Sequence, residues 1–337
     1  MITKVIETLC LRENLSKSQT RELFEKIVHG ELSDIELAAF LVALKAKGEC
    51  ADEIAGAAEA LRHAAAPFPR PDGIVADSVG TGGDGKGTVN VSTAVAFIAA
   101  ELGVKVAKIG NVSVSSKCGT ADVLRAAGIC IDAPSDVMRK CLDALNICFL
   151  FAPLYHAGVR HAMPIRKALA TRTIFNMLGP LINPAHPSHQ LTGVYDPKLC
   201  EIFAHTLQTL GCESALIVHG SGLDEIALHG PTNAALLQRG KIKSFTITPE
   251  DAGCKSYPIE ALLGGGPEEN AAWLKKLLQG KADAAHNEAV AINAGALLWI
   301  CGKSADIKSG ADLARHTIAS GKAYERLMKF AEMSNGI

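Results

Sequence analysis

The stretch DSVGTGGDGKGTVNVST, residues 77–93, contains the end of a strand, five glycines and the start of a helix. The strand is predicted over residues 74–80, and the helix is predicted to begin near Ser92. Glycine permits positive φ angles and a close backbone approach, so successive N–H groups can turn toward an anion. The helix N-terminus adds its dipole and free amides. These features predict a phosphate-binding loop, with a mobile glycine loop as the alternative, and the spacing is not that of a P-loop.

Strands and helices alternate on the C-terminal side of this loop. The sequence predicts further strands at residues 104–110, 147–153 and 215–220, and helices at residues 93–103, 121–128 and 289–300. Such alternation is typical of a mainly parallel sheet that is covered by helices on both faces. We therefore expect an α/β fold in this part of the chain.

The first 65 residues show helical patterns and no strand pattern. Ser33 and Glu36 form a predicted capping box at the start of one helix, and Gly30 is placed to end the helix before it. The segment PFPRPDG at residues 67–73 then interrupts the helical pattern, because proline and glycine both disfavour a helix. We expect a domain boundary there.

Composition and charge exclude several classes of protein. The 337 residues carry 34 Lys and Arg against 35 Asp and Glu, and 48% are hydrophobic, which argues against disorder. A net charge of −1 gives no general attraction to nucleic acid or to a membrane surface. The uncharged run at residues 289–302 is shorter than the ~20 residues of a membrane span, and no signal peptide is predicted. We expect a soluble, cytoplasmic protein whose ten scattered cysteines remain reduced.

A second polar loop follows the next predicted strand, in the sequence KIGNVSVSSKCGTADVL at residues 108–124. Two lysines and several hydroxyl groups around two glycines suit a polyanionic group, whereas a solvated polar loop is the alternative. In open α/β sheets, ligands bind at the carboxyl ends of neighbouring strands. Two loops of this kind on neighbouring strands therefore favour a phosphate-rich ligand.

A third motif, HGSGLDEIAL at residues 219–228, places Asp224 and Glu225 side by side after a strand. An Asp-Glu pair is most often a solvated turn. Beside phosphate loops, however, it suits Mg²⁺, which is bound by few protein carboxylates together with substrate phosphates and water.

The three motifs and the run FAPLYHAGVRHAMPIRKALATRTIFNMLGPLINPA at residues 151–185 resemble the anthranilate phosphoribosyltransferase family of tryptophan biosynthesis. This resemblance implies a small all-helical domain and a larger α/β domain with a central, mainly parallel sheet flanked by helices. The helical domain would comprise residues 1–70, completed by about 160–190, and the α/β domain residues 71–159 and 191–337. The substrate site would lie in the cleft between them, and the protein would be a homodimer joined through the helical domain.

The resemblance also implies the activity, which is Mg²⁺-dependent transfer of the phosphoribosyl group of phosphoribosyl pyrophosphate (PRPP) to anthranilate. PRPP would be held by Gly80, Gly83, Asp84, Thr88, Asn90, Val91, Ser92, Thr93, Lys108, Gly110, Asn111, Ser113, Ser115, Ser116 and Thr120. Anthranilate would contact Gly80, Asn111 and Arg166, with Arg166 facing its carboxylate. Ser92 would reach one Mg²⁺ ion, and Asp224 and Glu225 would carry another. No general acid or base is implied, because the amine of anthranilate is uncharged at neutral pH.

The sequence departs from the usual family motif Lys-His-Gly-Asn-Arg, since Ile109 and Val112 replace its histidine and arginine. Both changes lie near the predicted path of anthranilate. Three other functions remain as alternatives: a phosphoribosyltransferase for another amine, a pyrimidine nucleoside phosphorylase that shares the fold, and a non-catalytic paralogue that binds nucleic acid. The intact phosphate and acidic motifs favour a PRPP enzyme over the last two.

Overall fold

A seven-stranded sheet forms the centre of the protein in the computed structural model, which describes residues 2–113 and 118–336. The strand order is β3-β2-β1-β4-β5-β6-β7. The pairs among the first five strands are parallel, and the last two strands are added antiparallel. The strands are β1 (Val75–Gly80), β2 (Lys105–Gly110), β3 (Ile147–Phe151), β4 (His189–Gly193), β5 (Ser214–Gly220), β6 (Thr232–Gln238) and β7 (Lys241–Ile247).

Helices precede the sheet, connect its strands and follow it. Short 3₁₀ helices lie at Ala157–Ala162, Gly179–Leu181, Pro249–Ala252 and Ile259–Leu262. The α-helices are α1 (Ile2–Cys10), α2 (Lys17–His29), α3 (Asp34–Lys47), α4 (Ala51–His63), α5 (Val91–Glu101), α6 (Thr120–Ala126), α7 (Ser135–Leu145), α8 (Ala152–Tyr155), α9 (Met163–Leu169), α10 (Phe175–Leu178), α11 (Leu199–Thr209), α12 (Pro267–Leu278), α13 (Ala284–Ile300), α14 (Ile307–Ser320) and α15 (Lys322–Ser334).

Local sequence signals set the ends of the first helices. Ser33 caps α3, with its hydroxyl accepting from the Glu36 amide at 3.3 Å while the Glu36 carboxylate accepts from the Ser33 amide at 2.9 Å. Gly30 ends α2 in the left-handed conformation, with φ 71°. Each capping residue satisfies backbone groups that a helix end leaves without partners. The predicted capping box and helix stop are therefore confirmed.

Two hydrophobic clusters cover the two faces of the sheet. One cluster packs α5, α13 and the C-terminal helices against one face. The other joins α2, α3 and α4 to α11 and to the opposite face, and it includes Ile109 of β2. Because apolar residues run without a break from the N-terminal helices to the sheet, burial of this shared surface holds the two parts together.

Most predicted elements are confirmed, and so is the fold class. The strand predictions at residues 74–80, 104–110, 147–153 and 215–220 each match an observed strand. The sequence analysis missed β4 and the β6–β7 hairpin. β4 is short and polar in places, and the hairpin lacks the strict alternation by which a half-buried strand is recognised. The segment before β4 forms short helices, and some of them contact α2, α3 and α4.

Two further expectations concern cysteines and membrane spans. All ten cysteines are free, and among them Cys10 is exposed, whereas Cys141, Cys148, Cys200, Cys254 and Cys301 are buried. The expected absence of a disulfide framework is confirmed for these residues. Within residues 2–113 and 118–336, no helix is both long and apolar enough to cross a bilayer.

His156 is a buried structural residue. Its ring is 6% exposed, and Nε2 lies 2.7 Å from the carbonyl oxygen of Ile182. A carbonyl only accepts, so Nε2 carries the proton and donates. Burial lowers the pKa of His156 to about 4.

We expect His156 to make the protein less stable in mild acid. The unfolded chain takes up a proton on this residue near pH 6.5, whereas the folded chain takes it up only near pH 4, so stability falls as the pH drops through this window. Between pH 7 and 5 the free energy of unfolding should fall by about 2 kcal/mol more in the wild type than in His156→Gln. Urea unfolding of both proteins at the two pH values measures this difference. Equal pH dependence in the two proteins would contradict it.

Candidate phosphate and metal site

The glycine loop follows β1 at the carboxyl edge of the sheet. Gly82, Gly83, Gly85 and Gly87 have φ angles of 67°, 76°, 71° and 68°, a region that other residues seldom adopt. The predicted use of glycine for positive φ is thus confirmed at these four positions. The loop leads to the first turn of α5, which begins at Val91.

The acidic turn after β5 packs directly against the glycine loop. The Gly82 amide donates to Oδ2 of Asp224 at 2.7 Å. A Cβ at Gly80 would lie 2.1 Å from the same carboxylate oxygen, and one at Gly193 would lie 1.5 Å from the Asp224 carbonyl oxygen. The approach of the turn to β1 and β4 therefore requires glycine at both strand ends. It brings the first and third predicted motifs into one site.

The surroundings of the acidic turn disfavour the ionised form of its two carboxyl groups. Burial raises the pKa of Asp224 to about 7, and the negative charge of Asp84 adds to this effect. Burial also raises the pKa of Glu225 well above its usual range, with Asp224 and Asp84 acting in the same direction. Several negative charges in a confined space favour either protonation or a bound cation.

Lys108 and Ser92 lie next to this acidic group. The Lys108 ammonium donates to the carbonyl oxygen of Ser78 and, at 3.2 Å, to Oγ of Ser92. Burial lowers the pKa of Lys108, and the negative charges of Asp77, Glu225 and Asp224 oppose that shift. The lysine is only 2% exposed, so its charge acts from beneath the loop.

The negative charge of Asp77 acts on Lys108 from the neighbouring strand, and Asn183 holds Asp77 from the segment before β4; the sequence analysis did not identify either residue. Nδ2 of Asn183 donates to Oδ2 of Asp77 at 2.8 Å and to the Ala107 carbonyl oxygen at 2.7 Å. Burial raises the pKa of Asp77 to about 6, against the opposing charge of Lys108. The sequence could have indicated this role for Asp77, because an aspartate in an otherwise apolar strand is buried and a buried charge needs a partner.

The start of α5 presents a mixture of buried and accessible groups. Val91 and Thr93 are buried, so ligand contacts from these two positions would come from the backbone. Asn90 precedes the helix and accepts from Nδ2 of Asn270 at 3.1 Å. Thr88 pairs with Leu263 in an isolated β-bridge. The C-terminal part of the chain thus holds the end of the glycine loop in place.

Asp122 joins the two ends of the second loop. Its Oδ2 accepts from the Ser113 amide and from the Gly119 amide, each at 2.9 Å. Asn111 is exposed next to this junction, and its carbonyl oxygen accepts from the Ala121 amide at 3.2 Å. Predicted residues Ser115 and Ser116 lie outside the described residues.

Gly110 and Thr120 meet where β2 leads into the second loop. A Cβ at Gly110 would lie 2.7 Å from the Phe149 ring and 3.1 Å from Cβ of Thr120. Thr120 is the first residue of α6. The contact fixes the start of that helix close to the end of β2.

Two arginines lie on the side of the N-terminal helices. Arg166 contacts the Phe175 ring, with its guanidinium carbon 5.1 Å from the ring centroid, and burial lowers its pKa. Arg172 donates to the carbonyl oxygen of Gly83 and stacks over Tyr195, 4.2 Å from the ring centroid. Arg172 therefore contacts the glycine loop, and the sequence analysis missed this residue. Its signal was a third arginine, after Arg160 and Arg166, in the run at residues 151–185.

The donor atoms fit magnesium. The carboxylates of Asp224 and Glu225 and the Ser92 hydroxyl are oxygen ligands of the kind that a hard divalent cation prefers. Within the described parts of the chain, no three His, Cys, Asp or Glu residues form a complete metal cluster.

Comparison with known proteins shows which family the chain resembles. Two family models match, "Glycosyl transferase family, helical bundle domain" over residues 3–65 and "Glycosyl transferase family, a/b domain" over residues 72–324. The anthranilate phosphoribosyltransferase of Sorangium cellulosum is 56% identical over 334 residues, which cover 99% of this chain and 96% of that protein.

Solved structures of similar proteins share the whole fold. Anthranilate phosphoribosyltransferase from Thermus thermophilus has a TM-score of 0.93 and 41% identity, covering 98% of this chain and 99% of that one. The Saccharomyces cerevisiae enzyme in complex with PRPP and Mg has a TM-score of 0.91 and 27% identity, covering 100% and 98%. Another structure of the yeast enzyme contains 4-fluoroanthranilate. The chain therefore belongs to the anthranilate phosphoribosyltransferase family.

Proposed function

We propose that this protein transfers the phosphoribosyl group of PRPP to the amine of anthranilate, giving N-(5-phosphoribosyl)anthranilate and pyrophosphate. The observation that carries this proposal is the contact between the glycine loop and the acidic turn. The 2.7 Å hydrogen bond from the Gly82 amide to Asp224 places a phosphate loop beside two carboxylates that can hold Mg²⁺. This pairing suits a substrate with a pyrophosphate group.

The amine of anthranilate attacks C1 of the ribose directly, because it carries a free electron pair at neutral pH. A C–N bond forms as the C–O bond to pyrophosphate breaks, and the amine loses one proton to solvent. Positive charge builds on the ribose ring during this exchange, and negative charge builds on the leaving group. The protein aligns the two substrates and stabilises the separated charges, so no side chain is needed as a general base.

The two loops would bind PRPP. Amides of the glycine loop and of the first turn of α5 would donate to phosphate oxygens, and the hydroxyls predicted from the sequence of the second loop would do the same. Lys108, which donates to the Ser78 carbonyl oxygen and to Ser92 Oγ, would add a positive charge below the phosphates. The negative charges of Asp84, Asp224 and Glu225 require compensation before a polyanion can approach.

Magnesium would supply that compensation and, when bound, neutralise charge on the leaving pyrophosphate. We propose two ions, one held by Asp224 and Glu225 and the other reached by Ser92. The raised pKa of Asp224 supports this assignment, because a bound cation favours the ionised carboxylate.

Anthranilate would bind between the second loop and α9. Arg166 is partly buried, and its pKa is lowered by burial, with no neighbouring charge among the causes. Its guanidinium can therefore pair with the anthranilate carboxylate. Asn111 is exposed at the end of β2, where it can reach the same substrate. Ile109 lies in the hydrophobic cluster next to this path and Val112 is 36% exposed, so both replacements leave an apolar surface.

A second copy of the chain would bind to α3 and form a homodimer. Ile35, Ala39, Val42 and Ala46 follow helical spacing along one side of α3, and Ile35 and Val42 are 82% and 46% exposed. The opposite side of α3 is already buried in the hydrophobic cluster. An apolar stripe on the outer side of a packed helix is typical of an interface. In this proposal, residues 1–70 with about 160–190 form the dimerising domain.

The proposed reaction is tested by following the loss of anthranilate fluorescence with PRPP. We expect rapid loss with Mg²⁺ and essentially none after EDTA, because the acidic turn needs a cation before it tolerates pyrophosphate. A parallel sample with thymidine and inorganic phosphate should show no phosphorolysis.

If anthranilate is not consumed, calorimetry with PRPP shows which of the two substrates the protein fails to use. PRPP binding without anthranilate consumption would contradict anthranilate as the acceptor and indicate another amine. No PRPP binding in the presence of Mg²⁺ would contradict the phosphate site itself.

The Gly80→Ala variant tests the contact between the glycine loop and the acidic turn. Its new Cβ would lie 2.1 Å from the Asp224 carboxylate, so the turn must move. Since a displacement of about 1 Å can cost roughly 100-fold in rate, we expect kcat/KM to fall at least tenfold. Gly179→Ala is the matched control, because its Cβ would meet no atom within 4 Å. Equal activity of the two variants would disprove the requirement for close approach.

The Ile35→Glu variant tests the dimer. A carboxylate on the exposed side of α3 should not disturb the monomer fold, but it should convert the dimer to a monomer by light scattering at micromolar concentration. Leu313→Glu, at a residue 42% exposed on α14, is the control and should remain dimeric. A monomeric wild type, or a dimeric Ile35→Glu, would contradict the proposed interface.

A further inference from the structure

A cleft of about 560 Å³ lies at the opposite edge of the sheet from the phosphate site. Its walls come from α2, the end of α4, the connection to β1, and the segments that precede β4 and β5. Those segments meet at the amino ends of the strands, whereas the phosphate loops follow their carboxyl ends. With about 3.3 Å per residue, strands of five to seven residues separate the two sites by roughly 16–23 Å.

Arg62 supplies the positive charge of this cleft. Its Nε donates to the Leu181 carbonyl oxygen at 2.6 Å, and Nη1 lies 3.5 Å from the Leu210 carbonyl oxygen. Neither partner is charged, and the ion pairs among the described residues do not include Arg62. Burial lowers its pKa to about 10. A guanidinium has five donors in a planar fork, so hydrogen-bonding capacity remains for an anion.

The charges near Arg62 leave an excess of cations. Lys17 and Arg21 also line the cleft, and both approach the Glu59 carboxylate, at 3.1 and 3.8 Å. Arg21 is also paired with Glu25 at 2.9 Å, so among the described residues Arg62 is the one of these three cations without an ion pair. Among the described residues that line the cleft, Glu59 is the one carboxylate against three permanent cations. The cleft therefore favours an anionic ligand.

An apolar wall faces these charges. It is formed by Ala65, Ala66, Pro67, Phe68, Pro184 and Leu210. Phe68 is packed edge-on against Tyr155, with ring centroids 6.4 Å apart, so this part of the wall is held in place. His186 has a φ of 45°, a strained conformation for a residue with a side chain. A volume of 300–1,000 Å³ with apolar walls and few polar groups is typical of a small-molecule site.

We propose that this cleft binds a small carboxylate with an apolar body, its carboxylate on Arg62 and its body against Pro67, Phe68 and Pro184. The site is separate from the catalytic edge and does not depend on the proposed function. Inorganic phosphate would satisfy Arg62 but leave the apolar wall unused. The cleft also lies along the connection between α4 and β1, so its occupant would contact both the N-terminal helices and the segments that precede β4 and β5.

The test is a ¹⁹F NMR titration of the full chain with 4-fluorobenzoate, compared with the neutral 4-fluorobenzamide. We expect benzoate to bind the wild type and the benzamide to bind at least tenfold more weakly. Arg62→Gln should weaken benzoate binding at least tenfold, whereas Arg166→Gln, at the proposed anthranilate site, should retain it. Unchanged binding in Arg62→Gln, or loss only in Arg166→Gln, would overturn the proposal.

A second variant keeps the test valid if Arg62→Gln fails to fold. His63→Glu places a carboxylate at the rim of the cleft without removing the Arg62 hydrogen bonds, and it should also weaken benzoate binding. Lys241→Glu, on the exposed edge strand β7, introduces the same carboxylate elsewhere and should have no effect. Equal binding by these two variants would overturn the proposal. Displacement of benzoate by equimolar inorganic phosphate would also overturn it, because the apolar wall would then contribute nothing.

Discussion

The site depends on a backbone approach that only glycine allows. The ends of β1 and β4 pair through Gly80 and Gly193, and Asp224 occupies the space in which their side chains would lie. The acidic turn therefore packs directly against the ends of these two parallel strands, and a hydrogen bond from the Gly82 amide to Asp224 holds it there. The glycine loop proposed to bind phosphate and the acidic turn proposed to bind metal are then one unit. Their relative position is fixed before any substrate enters, which is what alignment of two substrates requires.

The electrostatic balance of this unit is incomplete without a ligand. Asp84, Asp224 and Glu225 bring three carboxylates together, while Lys108 is a buried cation beside them. Lys108 is itself shared with Asp77, so it cannot neutralise the group alone. A divalent ion bound together with an anionic substrate would resolve the imbalance, because it would compensate the carboxylates while the substrate phosphates supplied further oxygen ligands. The same charges that destabilise the free site would thus favour the site with metal and substrate bound.

Sequence patterns predicted the parts of this molecule that rest on local rules. Glycines that need positive φ, the Ser33 capping box and the parallel strands were recognisable, because each depends on neighbours in the chain. Asn183, Arg172 and Asn293 were not recognisable, since their roles arise from contacts between distant segments. Asn293, for example, holds the acidic turn from α13 through hydrogen bonds to the amide and carbonyl of Ile226, at 3.0 and 3.1 Å. The polar hairpin β6–β7 was missed for a related reason, because pairing partners decide its structure.

Strand alternation in β2 would separate the two proposed substrate sites. Successive side chains point to opposite faces, so Lys108 lies toward α5 and Ser92, whereas Ile109 lies toward the N-terminal helices. The phosphate side is consequently charged, and the proposed acceptor side is apolar with Arg166 at its border. An aromatic amine with one carboxylate matches this division, because its ring needs an apolar surface and its carboxylate needs a single cation. Isoleucine in place of the family's histidine at position 109 strengthens the apolar character of that side, so it is compatible with an aromatic acceptor rather than an argument against one.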